Sequence, residues 1–218
     1  MKLLRLPGVY RPQADTWLLM RAMREAHLPA GARVLEVCTG TGALAVAAVR
    51  NGAASVTAVD RYLPAVLSAR FNTRVRGLPA EVRHGDLSQT IVGAPFDVVL
   101  ANPPYVPGES AGEPGGAAVA WDAGPDGRTH LDRLCGKAFD LLTAGGTMLL
   151  VQSSLCGTRQ TVEMLRDNGL KTSVVARAIE PFGPVLRGRV GYLERSGLIA
   201  PGQRHEELVV IRADRTEH

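Results

Sequence analysis

The residues of this chain best suited to chemistry are Asn102-Pro103-Pro104-Tyr105, which follow the apolar run Asp97 to Ala101. Proline holds the residue before it in extended geometry, so Asn102 and Pro103 are both stiffened. Two prolines carry no N–H, so the backbone here offers acceptors only. The side-chain oxygen of Asn102 and the carbonyl of Pro103 can each accept one N–H of a planar –NH2 group. An amide or aniline-like nitrogen is a poor nucleophile. Polarising its N–H bonds as an electrophilic carbon arrives gives stabilisation that grows in the transition state, and in-line positioning supplies much of the rest. Tyr105 then stacks on a flat substrate group or walls the pocket. No general base is needed, and none is evident.

A second cluster precedes it. Glu36-Val37-Cys38-Thr39-Gly40-Thr41-Gly42 lies between an apolar run and an Ala/Val-rich stretch, the setting of a turn from strand to helix. Glycines there let the backbone turn tightly and approach a ligand, and the helix start favours a negative group. Asp60 ends the next apolar run, 18 residues beyond Gly42, where a carboxylate can accept two hydrogen bonds from a ribose diol. The turn alone serves nicotinamide cofactors as well as S-adenosylmethionine. Glu36 separates them: before the turn an acid can hold a cofactor amino group, whereas it would crowd a pyrophosphate. His84-Gly85-Asp86-Leu87 adds a third acid, placed to accept an adenine amine. Alone it reads as a capped turn. Three acids at the ends of three successive strands point to one ligand site at the carboxyl edge of a sheet.

The elements that must carry these residues alternate, as in an α/β fold with a mostly parallel sheet. The pattern predicts a helix from Asp15 or Thr16 to about His27, strands at Arg33–Val37, Ser55–Val59, Glu81–His84 and Phe96–Ala101, and helices from the Gly-rich turn to about Asn51 and over Leu63–Val75. Arg128–Leu142 reads as one helix, Thr147–Val151 as a fifth strand, and Thr158–Asn168 as a further helix. Thr172–Ile179 and Glu207–Arg212 read as two last strands without a helix between them. The Gly/Pro-punctuated stretch joining them, from Pro181 to Gln203, reads as a hairpin extension or a substrate-facing loop. Val106 to Val119 reads as a mobile loop, either a lid or a plain surface excursion.

The chain's 218 residues suit one domain spanning 1–218. With 45% hydrophobic and 21% charged residues its composition is that of a soluble globular protein. No run of 18 apolar residues appears, nor the layout of a signal peptide, so the expected location is the cytoplasm, with no membrane partner. Cys38, Cys135 and Cys156, spaced 97 and 21 residues apart, match no zinc pattern. Cys38 reads as a small buried thiol beside the turn. The net charge of +4 is scattered rather than massed, which permits an acidic partner without the dense patch of a dedicated nucleic-acid binder.

Taken together, Glu36-x-Cys-Thr-Gly-Thr-Gly42 and Asn102-Pro-Pro-Tyr105 resemble the class I S-adenosylmethionine-dependent methyltransferases of the amino-group type, and within them the HemK-type N5-glutamine methyltransferases. Val9-Tyr10-Arg11-Pro12-Gln13-Ala14-Asp15-Thr16 is similar to the Val-Tyr-x-Pro-x-Glu-Asp-Thr stretch of the short, single-domain branch. The resemblance covers roughly residues 9 to 170. It implies a doubly wound, mostly parallel seven-stranded sheet with a C-terminal antiparallel hairpin, S-adenosylmethionine as cofactor, and methylation of the glutamine in the Gly-Gly-Gln loop of a class 1 translation release factor. It implies that Glu36, Gly40, Asp60 and Asp86 contact the cofactor, with Cys38, Thr39, Gly42, Arg61 and Leu87 beside them. Tyr10, Pro12, Asp15 and Thr16 line the cofactor side, Asn102 and Pro103 hold the amide with Tyr105 as the third catalytic residue, and Asn102 also borders the cofactor. Some members of the branch need a small zinc-binding activator subunit, and others act on lysine.

Two departures stand out. Ala14 replaces an acid, so that contact is missing or passes to Asp15, and the stretch from Pro181 to Gln203 is longer and richer in Gly and Pro than in the short branch. Other readings of the same residues are an N6-adenine methyltransferase on RNA or DNA, with Tyr105 stacking on a flipped base, and a small-molecule amine methyltransferase. A nicotinamide-dependent oxidoreductase has only the Gly-rich turn and Asp60 in its favour. A binding protein that keeps the motifs without turnover completes the set.

Overall fold

A computed structural model describes residues 1–86, 95–109 and 116–217. Seven strands form one sheet in the order β3-β2-β1-β4-β5-β7-β6. They are β1 Arg33–Val37, β2 Ser55–Asp60, β3 Ala80–His84, β4 Phe96–Ala101, β5 Leu142–Ser153, β6 Lys171–Pro181 and β7 His205–Asp214. The first five run parallel, and β7 is antiparallel to both β5 and β6. This is the expected architecture. Helices are α1 Ala14–Glu25, α2 Ala43–Arg50, α3 Leu63–Arg74, α4 Thr129–Cys135, α5 Ala138–Leu141, α6 Thr158–Asp167, α7 Pro184–Gly188 and α8 Val190–Arg195.

The central strands are buried on both faces, so their sequences are near-continuous apolar runs. In β1 only Arg33 is exposed, and Val98 to Ala101 of β4 are sealed. Leu18, Leu19, Ala22 and Met23 of α1 recur at helical spacing and are buried. The small residues of α2 let it sit close to its neighbours. Gly42, its N-cap, has φ of +77°, and a Cβ there would lie 3.2 Å from Cα and Cβ of Ala69 on α3. Only glycine satisfies both conditions.

Three expectations are corrected. Arg128–Leu142 is not one helix: α4 stops at Gly136, the C-cap, and α5 resumes after Lys137. β5 extends in both directions beyond Thr147–Val151, because β7 pairs with it from Thr147 to Ser153 and β4 reaches it again at Leu142. The β6–β7 connection extends the antiparallel pair, which runs out to Pro181 and His205, but it is helical where Gly and Pro suggested irregular chain. It holds α7 and α8 around a small apolar nucleus of its own, Phe182, Leu186, Leu193 and Ile199. Within the expected loop Val106–Val119, residues 110–115 lie outside the described residues. Its described ends are structured: a 3₁₀ turn spans Gly116–Ala120, and Val106 bridges Asp122.

The site follows from the sheet order. Chain direction of travel reverses between β1 and β4, which are neighbours although two strands separate them in sequence. A crevice opens outside the carboxyl ends of strands at such a point. Val37 is in register with Ala101, so the Gly-rich turn after β1 and Asn102 after β4 emerge side by side.

Candidate active site

The crevice is a cavity of about 1240 Å³, counting its open mouth. Tyr10, Pro12, Asp15, Thr16, Glu36 and Cys38 line it, as do Thr39, Gly40, Asp60 and Arg61. Asp86, Asn102, Pro103 and Tyr105 complete the expected residues around it. Gly42 does not reach it and instead shapes the turn and the α2–α3 contact. Leu87 lies outside the described residues.

On the β1–β2 side, carboxylates are held by nearby backbone. Glu36 is buried, and its Oε2 accepts from the Thr39 hydroxyl at 2.6 Å and from the Ala45 N–H at 3.0 Å. It therefore also ties down the start of α2. Burial pushes its carboxyl up to about 8, against the hydrogen bonds that hold it down. Asp60 accepts from the Gly40 N–H at 2.8 Å through one oxygen and from the Tyr62 N–H at 2.9 Å through the other. Burial raises its pKa as well. Cys38 adopts φ of +60°, a left-handed conformation uncommon outside glycine. Burial, then the charges of Asp60 and Asp86, push its thiol well up, so it stays neutral. Asp86 sits at the exposed rim, 3.9 Å from the Arg133 guanidinium.

On the β4 side the organisation differs. Asp15, at the start of α1, is almost fully buried. Its Oδ2 accepts from the Tyr10 hydroxyl at 2.9 Å, the Tyr105 hydroxyl at 3.0 Å and the Asn102 amide nitrogen at 3.1 Å. Its Oδ1 accepts from the hydroxyl and N–H of Thr16. An ionised carboxylate has no proton to give, so the Asn102 group facing it must be the NH2 end. The Asn102 oxygen is thereby turned away from Asp15. Burial and then the Asp15 charge raise the pKa of Tyr10 and of Tyr105, so both phenols donate rather than ionise. The same cluster holds Glu206 of β7, whose carboxyl burial also raises.

The Tyr105 carbonyl is fixed from behind. The Cys156 thiol donates to it at 2.8 Å, and a Cβ on Gly127, whose φ is +74°, would run into the same oxygen. Next to it the buried Arg128 guanidinium donates to the carbonyls of Cys156 and Gly157 and to the Thr161 hydroxyl.

Sequence reasoning missed part of the lining: Val106, Val119, Ala120, Trp121, His130, Arg133 and Leu134. They come from segments with no motif and are brought to the cavity by tertiary contacts alone. The one signal, for Val106 and Val119 alone, was the lid reading of the loop that follows Asn102–Tyr105.

This geometry agrees with what the chain is similar to. Residues 1–119 match the family model of the methyltransferase small domain. A Methanocaldococcus jannaschii protein named as an N5-glutamine methyltransferase is 34% identical over 81% of this chain and 88% of its own length. The chain belongs to the HemK-type methyltransferases. These use S-adenosylmethionine, so the chain is a methyltransferase of that kind. The release factor glutamine methyltransferase of Mycolicibacterium smegmatis is 36% identical over 78% of this chain, which spans 63% of that longer protein. Among solved structures, the E. cuniculi Mtq2–Trm112 complex, described as methylating the eRF1 termination factor, superposes with a TM-score of 0.65 at 22% identity, over 96% of this chain and 99% of that one. That likeness shows the fold. Among the described residues no helix is long and apolar enough to cross a membrane.

Proposed function

We propose that this HemK-type enzyme methylates the side-chain amide nitrogen of a glutamine in a protein substrate, with a class 1 release factor as the first candidate. The observation that carries the reading is the aiming of Asn102. Its NH2 end is engaged by Asp15 and Thr16, so its oxygen is left for an incoming N–H beside the Pro103 carbonyl. The relatives named for glutamine N5 and for release factors support the choice of amide.

The cavity residues fit the cofactor. Each oxygen of the Asp60 carboxylate accepts one backbone N–H and retains lone-pair capacity for a ribose hydroxyl. Glu36 at the floor suits an amino group, and Asp86 at the rim suits an adenine amine. Tyr10, Pro12, Thr16, Cys38, Thr39, Gly40 and Arg61 complete the walls. When bound, the cofactor supplies an electrophilic methyl carbon. The protein's own residues then do the rest. Asn102 and Pro103 accept the two amide N–H bonds and orient the nitrogen. Asp15, anchored by Tyr10 and Tyr105, keeps Asn102 from rotating. Neither phenol takes the departing proton, since burial holds both protonated, and it leaves to water.

An adenine acceptor would call on Tyr105 as a stacking surface. The residue is only 9% exposed and its hydroxyl is tied to Asp15, so it serves as a wall, which favours the amide. For an activator subunit, the fitting surface is the outer face of α3 beside the edge strand β3. Leu63, Leu67, Phe71 and Val75 recur there every fourth residue, each 47–58% exposed. Co-expression with a small zinc-binding subunit of this type should give a co-purifying pair in wild type and none in Phe71→Asp.

The function is tested with labelled S-adenosylmethionine and a release factor carrying Gly-Gly-Gln. Label should enter the factor and vanish when that glutamine becomes alanine. Label that survives the substitution removes the claim.

A further inference from the structure

Next to Asn102 the cavity is lined by Tyr105, Val106 and Trp121, which begin two short stretches, Tyr105–Glu109 and Trp121–Pro125, that run side by side in the same direction away from it. The stretches are joined by few bonds: Val106 N–H to Trp121 O at 2.8 Å, Ala123 N–H to Val106 O at 3.1 Å and Gly108 N–H to Gly124 O at 3.0 Å. A pairing this short is marginal on its own.

The insert between β6 and β7 braces it from outside. Val106 packs against the insert's apolar nucleus. Arg189, the residue between α7 and α8, is mostly buried, and its guanidinium grips both stretches at once. Nη1 donates to the Pro107 carbonyl at 2.9 Å, and Nη2 pairs with the Asp122 carboxylate. A Cβ on Gly108 would lie 2.7 Å from Nη1, so any side chain there would push the guanidinium out of this joint. The Tyr192 hydroxyl donates to the Pro125 carbonyl at 2.8 Å. Arg195 also reaches Glu109, but both are largely exposed, so that pair contributes little. A planar fork can serve two acceptors in fixed directions, which a lysine cannot.

We propose that Arg189 is a positioning residue for the acceptor wall, so that the β6–β7 insert governs acceptor binding while leaving the cofactor side untouched. This rests on the assignment of the Asn102 side to the acceptor.

The test compares wild type with Arg189→Lys, Arg189→Ala and Asp122→Asn. Hydrogen exchange is followed in peptides covering 105–109 and 121–125, with β1 and β4 as internal controls. In parallel, release-factor KM and kcat and the Kd of S-adenosylhomocysteine are measured. Each variant should speed exchange in those two peptides by about tenfold or more with β1 and β4 unchanged. Each should raise release-factor KM by about tenfold and move cofactor Kd by less than about twofold. Asp122→Asn on top of Arg189→Ala should add nothing, since the two share one contact. Unchanged exchange overturns the proposal. So does faster exchange with unaltered KM and kcat, or an equal loss of cofactor affinity. A wild type that leaves the release factor unlabelled defeats the substrate reading instead, and exchange together with cofactor Kd still decides the role of Arg189.

Discussion

The two sides of the cavity are built by different means. On the β1–β2 side, carboxylates are held by groups close in sequence or in the adjoining turn: Glu36 by Thr39 and Ala45, Asp60 by Tyr62 and Gly40. On the β4 side the bonds span the chain. Asp15 holds Asn102 and Tyr105 across 87 and 90 residues, and Arg189 holds Pro107 across 82. The carboxylates of the first side need only their local loops, although Tyr10, Pro12 and Thr16 from the α1 end close the same pocket. The second exists only when α1, β4 and the β6–β7 insert are all in place. The cofactor-facing carboxylates can therefore stay in place while acceptor geometry is lost.

That contrast breaks most cleanly at Asn102. Asn102→Ala removes one of two aimed acceptors while leaving the carboxylate side intact. It should cut kcat by about 10²–10³-fold, with the Kd for S-adenosylhomocysteine within about twofold of wild type. Single-turnover methylation and calorimetry measure the two. A matching loss of cofactor affinity would mean the two sides are not separable.

Asp15→Asn sharpens it. The replacement can donate, so Asn102 is free to rotate and present NH2 instead of oxygen. Losing a charge-assisted hydrogen bond of about 1.5–3 kcal/mol predicts a fall in kcat of about 10–100-fold. Asp15 also lines the cavity, so cofactor Kd should rise, but by less than kcat falls. If the affinity loss is the larger, Asp15 serves the cofactor directly and the aiming role given to it here is wrong.

The same contrast explains what could be read in advance. β1 and β4 have the bounds their sequences predict, because a strand buried on both faces reads as a near-continuous apolar run ended by turn residues. The carboxyl-edge placement of Glu36, Asp60 and Asp86 follows from strand order alone. Arg189, by contrast, sits in a Gly/Pro-rich stretch with no period. Helices of five and six residues leave no amphipathic signature, and their nucleus is scattered over Phe182, Leu186, Leu193 and Ile199. The break between α4 and α5 was hidden because apolar spacing continues through Gly136 and Lys137. Asp15 was legible as a site residue, but its attachment to Asn102 was not, since no local pattern specifies a partner 87 residues away.

The carboxylate side makes its own prediction with pH. Glu36 titrates near the ordinary 4.5 when unfolded and at about 8 in the folded cavity. Between those values the folded state holds the extra proton, so this contribution to stability is complete below about 4.5 and is lost as pH rises through 8. The apo chain should lose on the order of a few kcal/mol from this source between pH 5 and pH 8, a fall in Tm of roughly 5–10 °C. Glu36→Gln should flatten that slope. Bound S-adenosylhomocysteine should flatten it too, since its ammonium favours the ionised acid. Identical slopes in wild type and Glu36→Gln would place the titration elsewhere.

Asp86 should give the smallest effect. It belongs to the carboxylate side by position, yet among the described residues it is far less enclosed than Glu36 and Asp60. Its side chain is 50% exposed and that of its cationic neighbour, Arg133, is 60% exposed. Water screens whatever it contacts, and an exposed pairing contributes at most about 1 kcal/mol. Asp86→Asn also keeps one oxygen as an acceptor for an adenine amine. The Kd for S-adenosylhomocysteine should therefore rise only about two- to fivefold, with kcat unchanged, and the difference from wild type should shrink in 0.5 M salt as screening tightens. A loss beyond about thirtyfold, insensitive to salt, would mean that ligand binding closes the rim over Asp86. The carboxylate side would then be assembled by long-range contacts as well, and the division between the two halves of the cavity would not hold.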